Sequence, residues 1–193
     1  EELASTNPCG EIPLPKFGNC CLGHVNLSNM YDEKSSDVDW KKLAKTVRIG
    51  IRFLDNVLTV NHYPLPEVKE NCENVRRLGL GVMGLHTMLL ELGMRYDSEE
   101  GFAFVDKLFN TLKNTAYDAS VNLAIEKSPF AAYDPHFLES GFAKTLKRGI
   151  RNKIKEHGIR NCALLTIAPT GTTSMMTKGI WRGEEVGAVS SGI

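Results

Sequence analysis

The sequence has no excess of charge of either sign and no long apolar run. Of its 193 residues, 23 are Lys or Arg and 23 are Asp or Glu, so the formal net charge is zero. A neutral chain has no overall field that would attract nucleic acid or an anionic membrane, and we expect neither as a partner. No stretch approaches the roughly 18 consecutive apolar residues of a membrane span, and we expect no secretory leader. These features predict a cytoplasmic protein, and the 42% hydrophobic content is enough for a core.

Cysteine is scarce and irregularly spaced, with five residues in all. An odd number without a regular pattern argues against the disulfide framework of a small secreted domain. No two cysteines form a Cys-x-x-Cys pair, so we expect no structural zinc and no other metal site. The five are Cys9, Cys20, Cys21, Cys72 and Cys162.

The most informative stretch is Asn7-Pro8-Cys9-Gly10-Glu11, which places an amide, a thiol and a carboxylate at alternate positions. In an extended segment these three side chains would point to one side and face a common reactant. Pro8 and Gly10 suit a bent loop, which would lift the thiol to a tip. The functional interpretation is an amide that holds a hydroxyl, a carboxylate that takes a proton, and a thiol for nucleophilic or one-electron chemistry. The alternative is a buried cysteine whose polar neighbours form caps.

An extended, proline-rich segment follows this motif. Residues 12–15 contain two prolines, which exclude a helix interior or a central strand and predict an extended connector. Residues 18–27 predict a turn and a short extended run. Neighbouring side chains on such a run point to opposite sides, so at most one of Cys20 and Cys21 can face the same cavity as Cys9.

The middle of the chain predicts helices. Ser36 and Asp39 have the spacing of a capping box, after which apolar residues recur at helical spacing. Shorter helices are expected at 67–77 and 85–92, and a long one begins at Ser98. The two apolar stripes that we expect to face the core are Leu43, Val47, Ile51, Leu54 and Leu58, and then Phe102, Val105, Leu108, Phe109, Leu112, Ala116, Ala119 and Leu123.

Residues 79–84 match the G-x-G-x-x-G pattern of dinucleotide-binding turns. That pattern needs a hydrophobic strand before its first glycine, whereas the preceding residues 70–77 are polar. We therefore expect glycines that allow close packing against neighbouring elements. A nicotinamide-dependent oxidoreductase that uses Gly79–Gly84 is the alternative.

The last third of the chain predicts a basic helix, a buried strand and a turn. The helix, at 139–157, has a basic face that we expect to be solvated rather than functional. Residues 162–168 predict the strand. The next six residues predict a turn and a helix start, an arrangement that aims backbone N–H groups at a phosphate, with ordinary capping by Thr172 or Thr173 as the alternative. The apolar residues of the helix are Phe142, Leu146, Ile150 and Ile154, and the turn residues are Pro169, Thr170, Gly171, Thr172, Thr173 and Ser174.

Taken together, these motifs resemble the catalytic subunit of ribonucleotide reductases over essentially the whole chain. Asn7 to Leu14 resembles the finger-loop motif of that family, and Cys20 to Leu27 resembles the strand that carries one of its reducing thiols. Further matches are Arg76 to Gly84 and Ala168 to Ser174. The resemblance implies an α/β fold that is part of a ten-stranded barrel, with Cys9 on a loop inside it and mostly helices outside.

The resemblance also implies a role for each site residue. Cys9 would become a thiyl radical and remove the 3′ hydrogen of a ribonucleotide, Glu11 would take the proton of the 3′-hydroxyl, and Asn7 would hold a ribose hydroxyl. Cys20 would be one of two thiols that reduce the sugar, in preference to Cys21, because it occupies the family's position before Leu-Gly. Substrate phosphates would contact Pro169, Thr170, Gly171, Thr172, Thr173 and Ser174.

The motifs are most similar to those of the adenosylcobalamin-dependent class, which implies adenosylcobalamin as the cofactor. The alternative is a radical supplied by a separate metal-containing subunit. The implied partners are a ribonucleoside di- or triphosphate, the remaining parts of the reductase chain, and a thioredoxin-like or glutaredoxin-like reductant. A homodimer is also compatible with the family.

Two departures from the family pattern set limits on this interpretation. The family's partner for Cys20 lies upstream and its recharging cysteines lie in a C-terminal tail, so we expect residues 1–193 to be a single, incomplete barrel-domain piece without turnover alone. Residues 177–188 stand between the phosphate turn and Ser190-Ser191-Gly192-Ile193, and an insertion there could displace the helix start. A non-catalytic assembly fragment is therefore a further alternative.

Overall fold

The fold was obtained as a computed structural model, which describes residues 2–19, 21–181 and 184–192. Within those residues it contains eight strands, seven α-helices and two 3-10 turns. The strands are β1 (Leu3–Thr6), β2 (Pro13–Pro15), β3 (Leu22–Asn26), β4 (Tyr31–Asp32), β5 (Asp37–Val38), β6 (Gly79–Met83), β7 (Gly179–Trp181) and β8 (Glu184–Val186). The helices are α1 (Trp40–Val60), α2 (Pro66–Val75), α3 (Leu85–Glu91), α4 (Glu99–Lys127), α5 (Gly141–Lys144), α6 (Arg148–His157) and α7 (Gly171–Met176), and the 3-10 turns are Leu27–Met30 and Pro135–Glu139.

Strands β3 and β6 form a parallel pair at the centre of the fold. Their register places Leu22 beside Gly79 and His24 beside Gly81. All five residues of β6 are buried, which is typical of a parallel strand that is covered on both faces. Gly79 and Gly81 therefore lie inside a strand, and only Gly84 follows it, at the start of α3, so the first two glycines do not form the turn of a dinucleotide-binding site.

The two faces of this strand pair contact different parts of the chain. On one face, Leu54 of α1 lies beside Gly23, and a Cβ placed on Gly23 would be 3.2 Å from Leu54 Cδ2. On the other face, a Cβ placed on Gly79 would be 2.9 Å from Ile12 Cδ1. The glycines thus allow α1 and the segment before β2 to approach the strands closely, which confirms the packing interpretation. The Ile12 face carries the candidate site.

On the face opposite Ile12, helices α1 and α4 supply most of the core. The predicted α1 stripe is fully buried, because each of its five apolar residues is at most 4% exposed. Helix α4 buries Phe104, Leu108 and Leu112. The prediction that Phe102 belongs to this stripe is wrong, because Phe102 is 57% exposed and Phe104 is buried in its place. Both Phe102 and Phe104 have helical spacing to the apolar residues that follow, so the pattern does not distinguish them at the first turn of α4.

A buried ionic network joins α1, α2, α4 and the segment after α6. Asp55 is fully buried and accepts from Arg76 Nε at 2.9 Å and from Asn161 Nδ2 at 3.1 Å. Lys127 Nζ and Arg160 Nε each lie 3.4 Å from an Asp55 carboxylate oxygen. Burial raises the pKa of Asp55, but the guanidinium of Arg76 and its other partners outweigh burial and hold that pKa below its usual range.

The structure corrects the start of α1 and the extent of the basic helix. Asp39, not Ser36, caps α1, because its side chain accepts from Lys42 N, while Ser36 has a positive φ in the turn between β4 and β5. The predicted helix at 139–157 is divided into α5 and α6. The break lies where Lys147 N donates to Asn114 Oδ1 of α4 rather than to a helical carbonyl.

Residues 162–168 lie along β6 but form a single bridge, Leu80 to Leu165, instead of a regular strand. Leu78 N donates to Ala163 O and Leu80 N donates to Leu164 O. The two donors are two residues apart, whereas the two acceptors are adjacent residues. This mismatch interrupts the regular hydrogen-bond pattern of a parallel strand pair. The prediction of a strand is therefore correct in position but wrong in regularity.

The mixture of helices and strands confirms the expected α/β content. The strands within the described residues pair two by two and do not close into a barrel. No helix in that part of the chain is both long enough and apolar enough to cross a membrane. No group of three or more metal-ligating side chains is found among the same residues.

Candidate active site

Cys9 lies at the tip of a short hairpin formed by β1 and β2. The two strands are antiparallel, with Thr6 paired to Pro13. Asn7 closes the loop between them, because its backbone N donates to Ile12 O at 3.2 Å and its side-chain Oδ1 accepts from Ile12 N at 2.9 Å. Asn7 is buried while Cys9 is exposed. The loop therefore presents the thiol from a fixed base.

The loop is a turn, so the expected extended alternation from Asn7 to Glu11 is wrong. Gly10 N donates to Asn7 O at 3.0 Å, and Gly10 has a φ of +78° that favours glycine. The backbone reverses between these residues, which is why alternate side chains do not share one side. The expectation that Pro8 and Gly10 lift the thiol to a tip is confirmed. The alternative of a buried cysteine is wrong, since Cys9 is exposed.

Glu11 is fixed through its backbone, whereas its carboxylate has no hydrogen-bond partner in the part of the chain that the structure describes. Thr166 Oγ1 donates to Glu11 O at 3.1 Å. Both carboxylate oxygens of Glu11 are buried and make no hydrogen bond within the described residues. A buried carboxylate is costly unless it is paired or hydrogen-bonded. A carboxylate held in this way can bind a polar ligand or take a proton from it.

His24 lies on the same face of the β3–β6 pair as the finger loop. Its ring sits beside Gly81, where a Cβ would be 3.0 Å from His24 Cδ2 and 2.7 Å from Thr166 O. The Nε2 atom of His24 is buried without a hydrogen-bond partner in the described part of the chain. Burial lowers the pKa of His24, and the negative charge of Glu11 raises it by a smaller amount. The net effect on the pKa of His24 therefore favours the neutral imidazole.

Of the two adjacent cysteines, only Cys21 lies within the described residues. The Cys21 thiol lies on the α1 side of β3, where its Sγ is 3.9 Å from Leu54 O. This position is on the opposite face of the strands from Ile12 and the finger loop. Cys20, the predicted reducing thiol, lies outside the described residues.

The predicted phosphate turn lies at the start of α7. Thr170 precedes the helix with φ +53° and makes no side-chain cap, and its Oγ1 is buried without a hydrogen-bond partner in the described structure. Thr172 and Thr173 are exposed on the first turn, so the alternative of capping by these residues is wrong. Ser174 is buried and its Oγ donates to Gly171 O at 3.1 Å.

Within residues 177–188, strands β7 and β8 lie beside each other, and α7 still begins directly after residues 162–168. Strands β7 and β8 pair antiparallel, and the chain then returns to the site. Gly192 N donates to Pro169 O at 3.0 Å, and Gly84 N donates to Ser190 O at 2.7 Å. The intervening segment contacts the end of β3, where Asn26 Nδ2 donates to Lys178 O at 3.0 Å, and α7 keeps its place at the end of residues 162–168.

Two residues beside the finger loop, His24 and Thr166, were not predicted as site residues. Thr166 carries no signal in the sequence, because it is 155 positions from Glu11 and meets it only through the fold. His24 does carry a weak signal, since it alternates with Leu22 on a predicted extended run. That run has two faces, and the sequence does not say which of them meets the finger loop.

Comparison with known proteins places this site in a family context. Residues 1–183 match the family model described as ribonucleotide reductase, barrel domain. The chain is 38% identical over 174 residues to a vitamin B12-dependent ribonucleoside-diphosphate reductase of Mycobacterium tuberculosis, covering 90% of this chain and 23% of that protein. It is 36% identical over 175 residues to a protein of the same description from Thermoplasma acidophilum, covering 91% of this chain and 21% of that protein.

A relative from another group shows a weaker match. The ribonucleoside-diphosphate reductase subunit alpha of Treponema pallidum is 32% identical over 167 residues, which cover 83% of this chain and 19% of that protein. The chain thus spans about a fifth of the length of the curated relatives it matches. Because the family model matches nearly all of its residues, the chain belongs to the ribonucleotide reductase barrel-domain family.

Proposed function

We propose that this chain supplies the radical-carrying finger loop of a ribonucleotide reductase, an enzyme that converts ribonucleotides into 2′-deoxyribonucleotides for DNA replication. The observation that carries the proposal is the exposed Cys9 thiol at a hairpin tip, two positions after the buried Asn7 that closes the loop. A thiol presented in this way is accessible both to a radical source and to a substrate. The substrate would be a ribonucleoside di- or triphosphate.

The proposed reaction begins with hydrogen transfer to Cys9. The Cys9 thiyl radical would take the 3′ hydrogen atom, so that a C–H bond breaks and the S–H bond forms. Glu11 would accept the proton of the 3′-hydroxyl, and its buried, unpartnered carboxylate oxygens support that role. Asn7 would contact a ribose hydroxyl, although in the structure its Oδ1 already holds the loop through Ile12 N.

The reduction itself needs two thiols. The 2′ oxygen would leave as water while the two thiols are oxidised to a disulfide, which supplies two electrons. We keep Cys20 as one of these thiols, because the thiol of its neighbour Cys21 lies on the α1 side of the strands. The second thiol and the cysteines that recharge the pair would lie in other parts of a complete reductase.

The substrate phosphates would bind at the start of α7. Thr170 offers a buried hydroxyl without a partner, and Thr172 and Thr173 offer exposed hydroxyls beside it. The turn lies at the end of residues 162–168, which run parallel to β6, and ligands of α/β folds bind at this end of parallel strands. The proposed phosphate contacts are Pro169, Thr170, Gly171, Thr172, Thr173 and Ser174.

The radical source that we propose is adenosylcobalamin, because the relatives from M. tuberculosis and T. acidophilum are described as vitamin B12-dependent enzymes. When bound, this cofactor supplies an organic radical. The contribution of this chain would be the acceptor: the exposed Cys9 thiol fits a radical that arrives from outside the loop. A separate metal-containing subunit is the competing source.

We further propose that residues 1–193 are one incomplete unit of the ten-stranded barrel of the family. The two-by-two pairing of the described strands supports this, because a closed barrel would join further strands to them. The other partners would be the remaining parts of the reductase, a thioredoxin-like or glutaredoxin-like reductant, and a second copy of the complete enzyme. A cytoplasmic location fits the odd number and irregular spacing of the cysteines, which are not those of a secreted disulfide framework.

The experiment is to place this segment in a complete reductase chain and to measure nucleotide reduction with and without adenosylcobalamin. We expect turnover only with the cofactor, and none from the Cys9→Ala variant in either condition. Turnover by that variant would refute the assigned role of Cys9. If turnover requires a metal-containing subunit and not adenosylcobalamin, then that subunit is the radical source, and the role of Cys9 is unchanged.

A further inference from the structure

Two buried polar groups beside the finger loop have no hydrogen-bond partner within the described residues. They are the carboxylate of Glu11, with both of its oxygens, and Nε2 of His24. Each would be costly alone, because a buried polar group without a hydrogen bond loses its interaction with water and gains nothing in return. Their presence on the same face of the β3–β6 pair suggests that they serve each other or a shared ligand.

The fold fixes both groups from three separate segments. His24 belongs to β3 and sits beside Gly81 of β6, where the missing side chain leaves space for the imidazole. Thr166 lies against Gly81 from the other side, with its carbonyl oxygen 2.7 Å from a Cβ placed there. The hydroxyl of the same Thr166 donates to Glu11 O at 3.1 Å. One threonine thus ties the loop that carries Glu11 to the strand beside His24.

The charges around His24 single out Glu11 as its electrostatic partner. Gly81 beside the ring and Thr166 beside Gly81 do not titrate, and Glu11 of the finger loop is the charged group that acts on the ring. Burial lowers the pKa of His24 and the Glu11 charge raises it, so the carboxylate lies close enough to influence the ring. A neutral imidazole can donate or accept at Nε2, depending on its tautomer.

We infer that His24 is the positioning residue for Glu11, and that its Nε2 hydrogen-bonds to the Glu11 carboxyl during turnover. The inference rests on the proposed function of Glu11 as the proton acceptor. When Glu11 is ionised, Nε2–H donates to the carboxylate. When Glu11 has taken the substrate proton, its O–H donates to Nε2. Between these states, the substrate O–H bond breaks and an O–H bond forms on Glu11. His24 changes tautomer, because Nε2 loses a proton to solvent and Nδ1 gains one from solvent. No electron is transferred in this step.

This arrangement gives Glu11 a partner that matches both of its protonation states. A fixed cation would hold the carboxylate in the ionised form and weaken it as a base, whereas a neutral imidazole does not. His24 is therefore expected to affect the rate of the proton-dependent step and its pH dependence more than the binding of substrate.

The direct test is an NMR titration of the histidines of this chain, with and without the Glu11→Gln substitution. We expect the midpoint of His24 to shift down in the variant, because the negative charge that raises its pKa is gone. His62, which is exposed in the loop after α1, is the internal control and should not move. An unchanged His24 midpoint would overturn the inference, and Glu11→Ala provides a second variant if the first one unfolds.

A second readout is the pH profile of kcat in a complete reductase that carries this segment. His24→Gln keeps a hydrogen-bonding amide but cannot titrate. We expect kcat to fall on the order of tenfold, which is less than the 10²–10⁴-fold loss expected when a base is removed. The acid limb of the profile should be displaced, and KM should change little. His62→Gln is the matched control. A lower kcat with an unmoved acid limb would mean that His24 acts only in folding.

The two tests separate this inference from the proposed function. If Cys9→Ala abolishes turnover while Glu11→Gln leaves the His24 midpoint unchanged, the reductase assignment stands and the pairing of His24 with Glu11 fails. If the midpoint shifts but Cys9→Ala keeps full turnover, the pairing stands and the reductase assignment of Cys9 fails.

Discussion

Thr166 Oγ1 donates a 3.1 Å hydrogen bond to the backbone carbonyl oxygen of Glu11, and this bond joins two segments that are 155 residues apart. It ties the finger loop to the segment that leads into the start of α7. In the proposed reaction, these segments hold the base and the phosphate contacts, respectively. Their relative position is therefore set in part by a single threonine hydroxyl.

Removal of that hydroxyl should loosen the finger loop. Thr166→Val keeps the shape of the side chain but loses the donor, and we expect the free energy of unfolding to fall by about 1 kcal/mol. In a complete reductase, kcat should fall roughly ten- to a hundredfold, because the base is misplaced. Denaturant unfolding and steady-state kinetics measure the two effects. Thr111→Val is the matched control, since that hydroxyl only bonds to Lys107 O within α4.

The close approach at Gly81 should not tolerate a methyl group. A Cβ at this position would lie 2.7 Å from Thr166 O, a contact with backbone that cannot move away cheaply. We expect Gly81→Ala to lower the free energy of unfolding by about 1–3 kcal/mol, as overpacking does. Gly149→Ala in α6 is the control, because nothing lies within 4 Å of its Cβ position and alanine favours a helix. Equal stabilities of the two variants would contradict the packing described for β6.

The buried carboxylate of Asp55 should be far more important for stability than any exposed ion pair. Asp55→Asn leaves Arg76 and Arg160 without their buried counter-ion, and we expect a loss of about 3–5 kcal/mol. Glu126→Gln, which breaks the exposed pair with Arg52, is the control and should change stability little. Chemical denaturation of both variants gives the comparison.

The same network predicts a pH dependence of stability. The pKa of Asp55 in the folded chain lies below its ordinary value of 3.8, so its contribution is fully present above that value and is lost as pH falls through the lower folded pKa. The stability difference between the native chain and Asp55→Asn should therefore be constant from pH 7 to about pH 5 and shrink in stronger acid. A difference that grew with acidity would mean that the folded pKa is raised.

The sequence predicted the local structure better than the contacts between distant segments. The stripe from Leu43 to Leu58 is visible because helical spacing and burial have the same period. The loop around Cys9 was recognised from Pro8 and Gly10, but the turn between Asn7 and Gly10 shows that alternation holds only in a straight strand. Local patterns of residue types do not determine where such a segment bends.

The partners of the site could not be predicted for a different reason. Thr166 meets Glu11, and Asn161 meets Asp55, only because the parallel pair and α1 bring remote segments together. Buried polar atoms of this kind have no period in the sequence. The choice between Asp39 and Ser36 as the cap of α1 likewise depends on the short β4–β5 hairpin, because β5 occupies the two residues between them.

The two neighbouring cysteines should differ in function. In a complete reductase, we expect Cys20→Ser to abolish turnover, because one of the two reducing thiols is lost. Cys21→Ser should keep most of the activity, since the Cys21 thiol lies beside Leu54 O on the α1 side. Steady-state assays with the natural type of reductant distinguish them, and the reverse result would move the reducing role to Cys21.

The most direct test of the account is the turnover of a complete reductase that carries Cys9→Ser in this segment. Serine keeps the size and polarity of the exposed side chain, but its O–H bond is too strong to serve as the radical carrier in place of the thiol. We predict no detectable deoxyribonucleotide, with unfolding unchanged from the native protein. Full activity of the Cys9→Ser enzyme would contradict the central claim that Cys9 carries the radical.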